Sequence, residues 1–179
     1  MNLWSKCCCF SVNLIDMSDP GLEKLLHRLS NNLSEDKLVQ SVTNNLRNQL
    51  GVDRVVLYYF YRQWEGRVTF EALSRSDYSI FGSTGPDECF NGEYAKLYLE
   101  GRVRAIANIT TADIAPCHRD FLHEMNVKAN LVVPVLTPTG LWGLLVAHHC
   151  QSPFDWSPEH IATMKSGAKK LSEAQAIRH

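Results

Sequence analysis

The chain has 179 residues, of which 45% are hydrophobic, and this is enough for one globular domain with a substantial core. Its 18 Lys and Arg residues against 19 Asp and Glu residues give a net charge of −1, so no strong field favours binding to nucleic acid or to an anionic membrane. No apolar run approaches the roughly 20 residues that span a bilayer. These features favour a soluble cytoplasmic protein without a membrane span.

The amino-terminal third predicts two helices. Asp19-Pro20 is a typical helix start, and leucines recur after it at helical spacing as far as Leu29. A second helix is predicted from Ser34 to Leu50, with one apolar face, and Gly51 is its expected carboxyl-terminal stop.

The central part of the chain predicts a β-hairpin followed by a long crossing region. The first strand, Arg54–Tyr61, is rich in β-branched and aromatic residues, and the second is Val68–Leu73. Residues 74–92 are predicted as a loop, Glu93–Glu100 as a short helix ended by Gly101, and residues 118–125 as helical.

A second hairpin and a last helix complete the pattern. Ala129–Leu136 and Leu141–His149 flank a turn, and Pro134 indicates a sheet edge or a bulge. A helix is predicted from Ser157 to Ala176, and we expect it to pack against the helix at Ser34–Leu50. The order of elements predicts an α+β fold, with an antiparallel sheet, helices on one face and the crossing region on the other.

The six cysteines lack the CxxC pairs and the regular spacing of a secreted disulfide framework, so reduced thiols are expected. They are Cys7, Cys8, Cys9, Cys89, Cys117 and Cys150.

Five motifs follow one another along the chain: DECF at 87–90, YLEGRVRAI at 98–106, CHRDFL at 117–122, NVKANLVVPVL at 126–136 and LWGLLVAHHC at 141–150. Together they resemble the chromophore-binding GAF domain of a cyanobacteriochrome. The resemblance runs from about Leu33 to the carboxyl terminus, which divides the chain into an N-terminal extension with a helix, residues 1–32, and a bilin-binding GAF domain, residues 33–179. Within the family, DECF is similar to the Asp-Xaa-Cys-Phe motif of the dual-cysteine subclass.

The resemblance implies a GAF fold with a bilin pocket on the sheet face opposite the flanking helices. Cys117 would anchor ring A of a linear tetrapyrrole, phycocyanobilin or phycoviolobilin, through a thioether, and His118 would pack against the ring system. Cys89 would form a second, reversible thioether at the central methine bridge. Light-driven 15Z/15E isomerisation would then switch between a violet- or blue-absorbing state and a longer-wavelength state.

Other pocket residues are expected from their chemistry together with the resemblance. Asp87 can accept hydrogen bonds from pyrrole N–H groups, and Arg102 and Arg104 can pair with propionates. His148 occupies the strand that carries a pocket histidine in such photoreceptors, and His149 should lie on the opposite face of that strand. The remaining pocket candidates are Phe90, Tyr94 and Tyr98.

The resemblance also implies a signalling partner rather than enzymatic turnover. The expected output module is a histidine kinase, a methyl-accepting region or a cyclic-di-GMP module that is not in this chain. The apolar faces of the end helices are candidates for a homodimer or a partner helix.

Plainer roles remain open for each candidate. Cys89 can be an ordinary loop thiol, Cys117 a buried small residue, and Asp87 a turn cap. His148 and His149 can be structural sheet histidines, the tyrosines part of a core, and the arginines surface charges. A thiol-dependent GAF enzyme of the free methionine sulfoxide reductase type is the alternative function, and a cyclic-nucleotide sensor is a weaker one. A zinc site is not expected, because adjacent ligands such as Cys117 and His118 rarely share one metal.

Overall fold

The computed structural model describes residues 19–62, 65–85 and 93–178, and for residues 93–95 only the backbone is described. None of the helices in these ranges is long and apolar enough to cross a membrane. The helices are α1 (Pro20–Glu35), α2 (Lys37–Leu50), α3 (Glu93–Leu99), α4 (Pro116–Glu124), α5 (Pro158–Leu171) and α6 (Gln175–Arg178). The strands are β1 (Arg54–Arg62), β2 (Glu65–Leu73), β3 (Arg104–Ile106), β4 (Ala129–Thr137) and β5 (Gly140–His149).

Helices α1 and α2 are separated by a single residue, Asp36, whose extended backbone (φ −72°, ψ 111°) ends one helix and caps the next. Its carboxylate accepts hydrogen bonds from the backbone N–H groups of Leu38 and Val39, which would otherwise lack partners. The second helix therefore begins at Lys37, and the prediction of a start at Ser34 was wrong by three residues. Gly51 ends α2 with φ 64°, as predicted.

The strands form a five-stranded, fully antiparallel sheet in the order β2-β1-β5-β4-β3. Both predicted hairpins are confirmed. Strand β3 was not predicted, and within the described residues it pairs with Asn130–Val132 of β4 alone. Pro134 lies just beyond that pairing and beside a register shift between Val135 and Leu136, so the predicted edge or bulge is also confirmed.

The sheet is covered on both faces. Helices α2 and α5 pack on one face around a large cluster that includes Leu46, Leu145 and Met164. Gly167 of α5 lies directly against Leu46 of α2, which confirms that the two end helices pack together. The last helix ends at Leu171, however, and α6 is a separate turn, so the single helix predicted as far as Ala176 was too long.

The other face of the sheet carries the crossing region with α3 and α4. One apolar cluster there contains Val56, Val68, Tyr98, Val132, Leu144 and Val146, and a second lies under α4. The α+β architecture predicted from the sequence is thus confirmed.

Helix α1 continues unbroken across the proposed domain boundary between residues 32 and 33. Leu33 is fully buried in the core of the sheet, and Leu26 is also buried. Glu23 pairs with Arg67 of β2 through two N···O contacts of 2.9 and 3.0 Å. The described part of the extension therefore packs with the sheet.

Candidate functional site

Helix α4 places Cys117 at an exposed position in its first turn. Pro116 occupies the start of the helix, where its missing N–H group costs no hydrogen bond. Arg119, two residues after Cys117, donates from Nε to the Ile109 carbonyl (3.0 Å) and from Nη2 to the Ala112 carbonyl (2.8 Å). These bonds fix the loop before the helix, so Cys117 stands on a firmly held element.

The face of α4 that packs on the domain is apolar. Leu122 is 2% exposed and belongs to the cluster under the helix, together with Ile106, Ile109 and Val127. The predicted helical stretch 118–125 is therefore confirmed, with a start two residues earlier that brings Cys117 into the helix.

Four of the predicted site residues lie in one electrostatic neighbourhood. Burial raises the pKa of the Tyr98 hydroxyl to about 12, although the nearby cations Arg102 and Arg104 oppose this rise. His118 is half-buried, and burial followed by the charge of Arg104 lowers its pKa. Both aromatic side chains therefore favour their neutral forms beside two cations. Such a surface suits a ligand with an apolar body and carboxylate groups.

A cleft of about 470 Å³ opens beside α4. Its volume is within the usual range of small-molecule sites, although it is open to solvent rather than enclosed. Phe121 lines the cleft and lies four residues after Cys117, so the two residues share one face of the helix. One wall consists of Ser79, Ile80, Phe81, Ser83 and Thr84, and the other of Phe121, Glu124 and Met125.

His148 is buried at 3% exposure on the same sheet face as this cleft. Arg54, its direct partner across the β1–β5 pair, donates from Nε to His148 Nδ1 at 2.9 Å. Burial and then the charge of Arg54 hold the pKa of His148 well below its usual range, so the imidazole is neutral at physiological pH. His148 is thus a buried sheet histidine on the face that carries the cleft, and its role toward a ligand stays a prediction.

The neighbouring His149 lies on the opposite face, as predicted. Its ring stacks on Phe154 with centroids 5.1 Å apart and 15° between the planes. Its Nδ1 lies 3.5 Å from Oδ2 of the buried Asp53. His149 therefore belongs to the face opposite the cleft.

Asn130 is a buried polar residue that the sequence analysis missed. It lies directly opposite His148 in the β4–β5 pair, at 4% exposure, and its Oδ1 atom has no hydrogen-bond partner. Since a buried acceptor without a donor costs roughly 1–3 kcal/mol, this oxygen is suited to accept from an N–H group of a bound ligand.

Three predicted residues, Asp87, Cys89 and Phe90, lie outside the described residues, and so does the side chain of Tyr94. The chain is described as far as Gly85 on one side of this segment. There the Gly85 N–H group donates to the Tyr58 hydroxyl at 2.8 Å. The positions of these four predicted site residues stay predictions.

Two further observations concern thiols and metals. Cys150 is buried, its backbone N–H donates to Asp53 Oδ2 at 2.8 Å, and burial raises the pKa of its thiol. Within the described ranges, no three His, Cys, Asp or Glu residues are grouped closely enough to hold a metal ion.

Two relatives of very different length are similar to the chain. An uncharacterized protein of Picosynechococcus sp. is 46% identical over 156 residues, which cover 87% of this chain and 96% of that protein. A putative methyl-accepting chemotaxis protein of Synechocystis sp. is 34% identical over 140 residues, which cover 78% of this chain but only 14% of that protein. The chain therefore corresponds to a small part of the chemotaxis protein.

Solved structures share the fold over most of the chain. The cyanobacteriochrome receptor PixJ matches with a TM-score of 0.72 at 28% identity, over 81% of this chain and 95% of that one. A phycoerythrobilin-bound GAF domain from a cyanobacterial phytochrome matches with a TM-score of 0.69 at 26% identity, over 88% and 95%. A phycocyanobilin-bound GAF domain from a cyanobacterial phytochrome matches with a TM-score of 0.67 at 26% identity, over 84% and 91%. The family model of the GAF domain matches residues 34–174, and this chain belongs to the GAF domain family.

Proposed function

We propose that this chain is a photosensory domain that binds a linear tetrapyrrole covalently through Cys117. The observation that carries the proposal is the position of this exposed thiol, which stands on a helix beside the cleft in a fold shared with bilin-bound GAF domains. A bound bilin supplies visible-light absorption and isomerisation about its 15,16 double bond. The chain supplies attachment, orientation and a partly dry environment.

The residues present fit such a chromophore. The apolar sheet face with Val132 and Leu144 suits the conjugated ring system. Arg102 and Arg104 are close enough to influence Tyr98, so they can pair with propionates at the edge of the same region. The unpartnered Oδ1 of Asn130 can accept a pyrrole N–H group.

Attachment at Cys117 requires no oxidant or metal. The thiol adds across the exocyclic double bond of ring A, so that a C–S bond forms and the thiol proton passes to the adjacent carbon. His118, the next residue, packs against the rings in this proposal, and its lowered pKa keeps it neutral.

The second thiol belongs to the finer part of the proposal. Cys89 would add reversibly at the central methine bridge, as in the dual-cysteine Asp-Xaa-Cys-Phe subclass: a C–S bond would replace one carbon–carbon π bond at that carbon, the thiol proton would be released, and elimination would reverse both changes. Asp87 would accept from the pyrrole N–H groups. Phe90, Tyr94 and Tyr98 complete the pocket. The bilin is phycocyanobilin, phycoviolobilin or both, and the two states absorb at violet-to-blue and at longer wavelengths.

The output of the domain passes to another module rather than to a turnover reaction in this chain. The relative of the methyl-accepting chemotaxis type supports this, since the matched region is 14% of that protein. We propose a histidine kinase, a methyl-accepting region or a cyclic-di-GMP module as partner, in the cytoplasm. A homodimer through the end helices is also proposed, and light scattering in both light states tests it, since a monomer at high concentration contradicts self-association.

The central experiment is coexpression of the full chain with a phycocyanobilin-synthesis pathway. A covalent adduct gives a coloured protein and a zinc-enhanced fluorescent band on a denaturing gel. Cys117→Ala should abolish the band, whereas Cys150→Ala, a matched change at a buried thiol, should retain it. A colourless wild type that reduces free methionine sulfoxide contradicts the proposal and supports the thiol enzyme instead.

A further inference from the structure

Arg54 connects three parts of the structure that surround the cleft. The side chain lies at the start of β1 and is 1% exposed. Besides its bond to His148, it donates from Nη1 to the Tyr78 carbonyl and from Nη2 to the Met125 carbonyl, the latter at 2.9 Å. Tyr78 immediately precedes the Ser79–Thr84 wall of the cleft, and Met125 belongs to the opposite wall. One guanidinium therefore joins both walls to the sheet.

Arg54 also dictates which ring nitrogen of His148 carries the proton. An arginine side chain has donors only and stays protonated in proteins, so the nitrogen that it contacts must offer a lone pair. That nitrogen is Nδ1. In a neutral imidazole the other nitrogen, Nε2, is then the donor, and it lies further from the backbone than Nδ1 does.

The surroundings of Arg54 are compatible with a buried cation. Burial lowers its pKa, while the nearby Cys150, Glu71 and Asp53 oppose this fall. Within the described part of the chain no carboxylate bonds to Arg54 directly, and its acceptors there are two carbonyls and one imidazole. Because all three acceptors are neutral, the guanidinium fixes the positions of these groups relative to one another and does not neutralise an anion.

We propose that Arg54 is a positioning residue that locks His148 in the Nε2–H tautomer and sets the distance between the two walls of the cleft. His148 then offers a ligand a hydrogen-bond donor and never a lone pair or a positive charge. The ligand group that suits this donor is a carbonyl or carboxylate oxygen. This inference rests on the proposed function only for the identity of that ligand as a tetrapyrrole.

The test is a long-range ¹H–¹⁵N correlation spectrum of the labelled full chain without bilin, recorded from pH 6 to pH 8. The chain has seven histidines, and the signal lost in His148→Gln identifies the one in question. Wild type should show His148 protonated at Nε2 alone, with no titration across this range. In Arg54→Met, the Nδ1 signal should move toward that of a protonated nitrogen or a tautomer mixture, and the pKa of His148 should rise because a neighbouring cation is gone.

Arg119→Met is the matched control. Arg119 also donates to two backbone carbonyls beside α4, those of Ile109 and Ala112, and neither bond involves His148, so this change should leave the His148 signals in place. An Nδ1-protonated or doubly protonated His148 in wild type overturns the proposal, even if Arg54→Met does not fold. An unchanged tautomer in folded Arg54→Met overturns it too. Because these spectra need no chromophore, their outcome is independent of whether the chain binds a bilin.

Discussion

The Tyr58 hydroxyl accepts a hydrogen bond from the Gly85 backbone N–H at 2.8 Å, and this contact joins the centre of β1 to the residue just before segment 86–92. A Cβ atom added at Gly85 would lie 2.7 Å from the same hydroxyl oxygen, which is too close for a side chain. Only glycine therefore allows the backbone to come this near to the Tyr58 ring. Segment 86–92 contains Asp87 and Cys89. Tyr58 thus holds the backbone at Gly85, immediately before the segment that contains the proposed switching thiol.

Tyr58→Phe should lower the free energy of unfolding by about 1 kcal/mol, since it removes one acceptor and leaves a half-buried N–H group unpaired. Denaturant unfolding measures this. With bilin bound, the variant should also form less of the short-wavelength state, because Cys89 is less well placed. The matched control is Tyr59→Phe on the other face, where the ring packs on Trp142 with centroids 5.1 Å apart. Equal effects of the two changes contradict a role for the Gly85 contact.

Cys117 and Cys150 should differ strongly in alkylation by iodoacetamide in the chain without bilin. Cys117 is exposed, whereas Cys150 is buried and has a raised pKa. Since the thiolate is the nucleophile, both the burial and the raised pKa slow the reaction at Cys150. Peptide mass spectrometry over a time course should show Cys117 modified well before Cys150, because the Cys150 thiol is buried and its pKa is raised. Comparable rates would mean that Cys150 is accessible in solution.

The neutral, buried His148 makes stability depend on pH with a definite sign. Its pKa in the folded state lies well below the usual value of about 6.5 that it has in the unfolded chain. The unfolded state therefore binds the proton first as the pH falls, and the free energy of unfolding decreases below pH 6.5 by up to about 1.4 kcal/mol per pH unit. His148→Gln removes this contribution, so the stability gap between wild type and variant should narrow between pH 7 and pH 5. Parallel stability profiles would contradict it.

Leu46→Ala tests the packing of the end helices. Leu46 is 3% exposed and lies against Gly167 of α5, so its truncation should cost about 2–5 kcal/mol of unfolding free energy. Leu38→Ala on the same helix changes a side chain that is 37% exposed and should cost well under half as much. Thermal and denaturant unfolding of both variants measure these costs. Similar losses of unfolding free energy in Leu46→Ala and Leu38→Ala would mean that α5 does not pack against α2 in solution.

Local sequence patterns predicted most of the fold because each long element carries its own period. Strand β3 escaped because three residues show no period, and its pairing with β4 is a tertiary event. The start of α2 was misplaced because Ser34 and Asp36 are both acceptable caps locally. Asp36 also accepts from the Ala176 N–H at 3.1 Å, a contact 140 residues away that no window of sequence displays.

The site was only partly predictable. Family motifs predicted Cys117, His118, Tyr98 and the two arginines as site residues. The structure places them on α3, β3 and α4 and in the connection between α3 and β3, and their role toward a ligand stays a prediction. Arg54 was missed because a charge at the first position of a strand is usually solvated. Arg54 becomes buried only when the Ser76–Tyr78 turn and the end of α4 fold over it. The indication available in the sequence was a positively charged residue at the first position of a strand that is otherwise mostly apolar.

The Cys89→Ala variant distinguishes covalent attachment of the chromophore from its photoconversion. If Cys117 is the anchor, the variant should still give a zinc-fluorescent band, because the two thiols react at different carbons. It should lose the violet-to-blue form, since no thiol then interrupts conjugation at the methine bridge, and it should photoconvert between two longer-wavelength states. Cys150→Ala is the matched control and should keep the short-wavelength form, because that thiol is buried with a raised pKa. Absorption spectra before and after illumination measure both. If Cys89→Ala keeps the blue absorption of wild type, then either another thiol forms the second linkage or no second linkage exists.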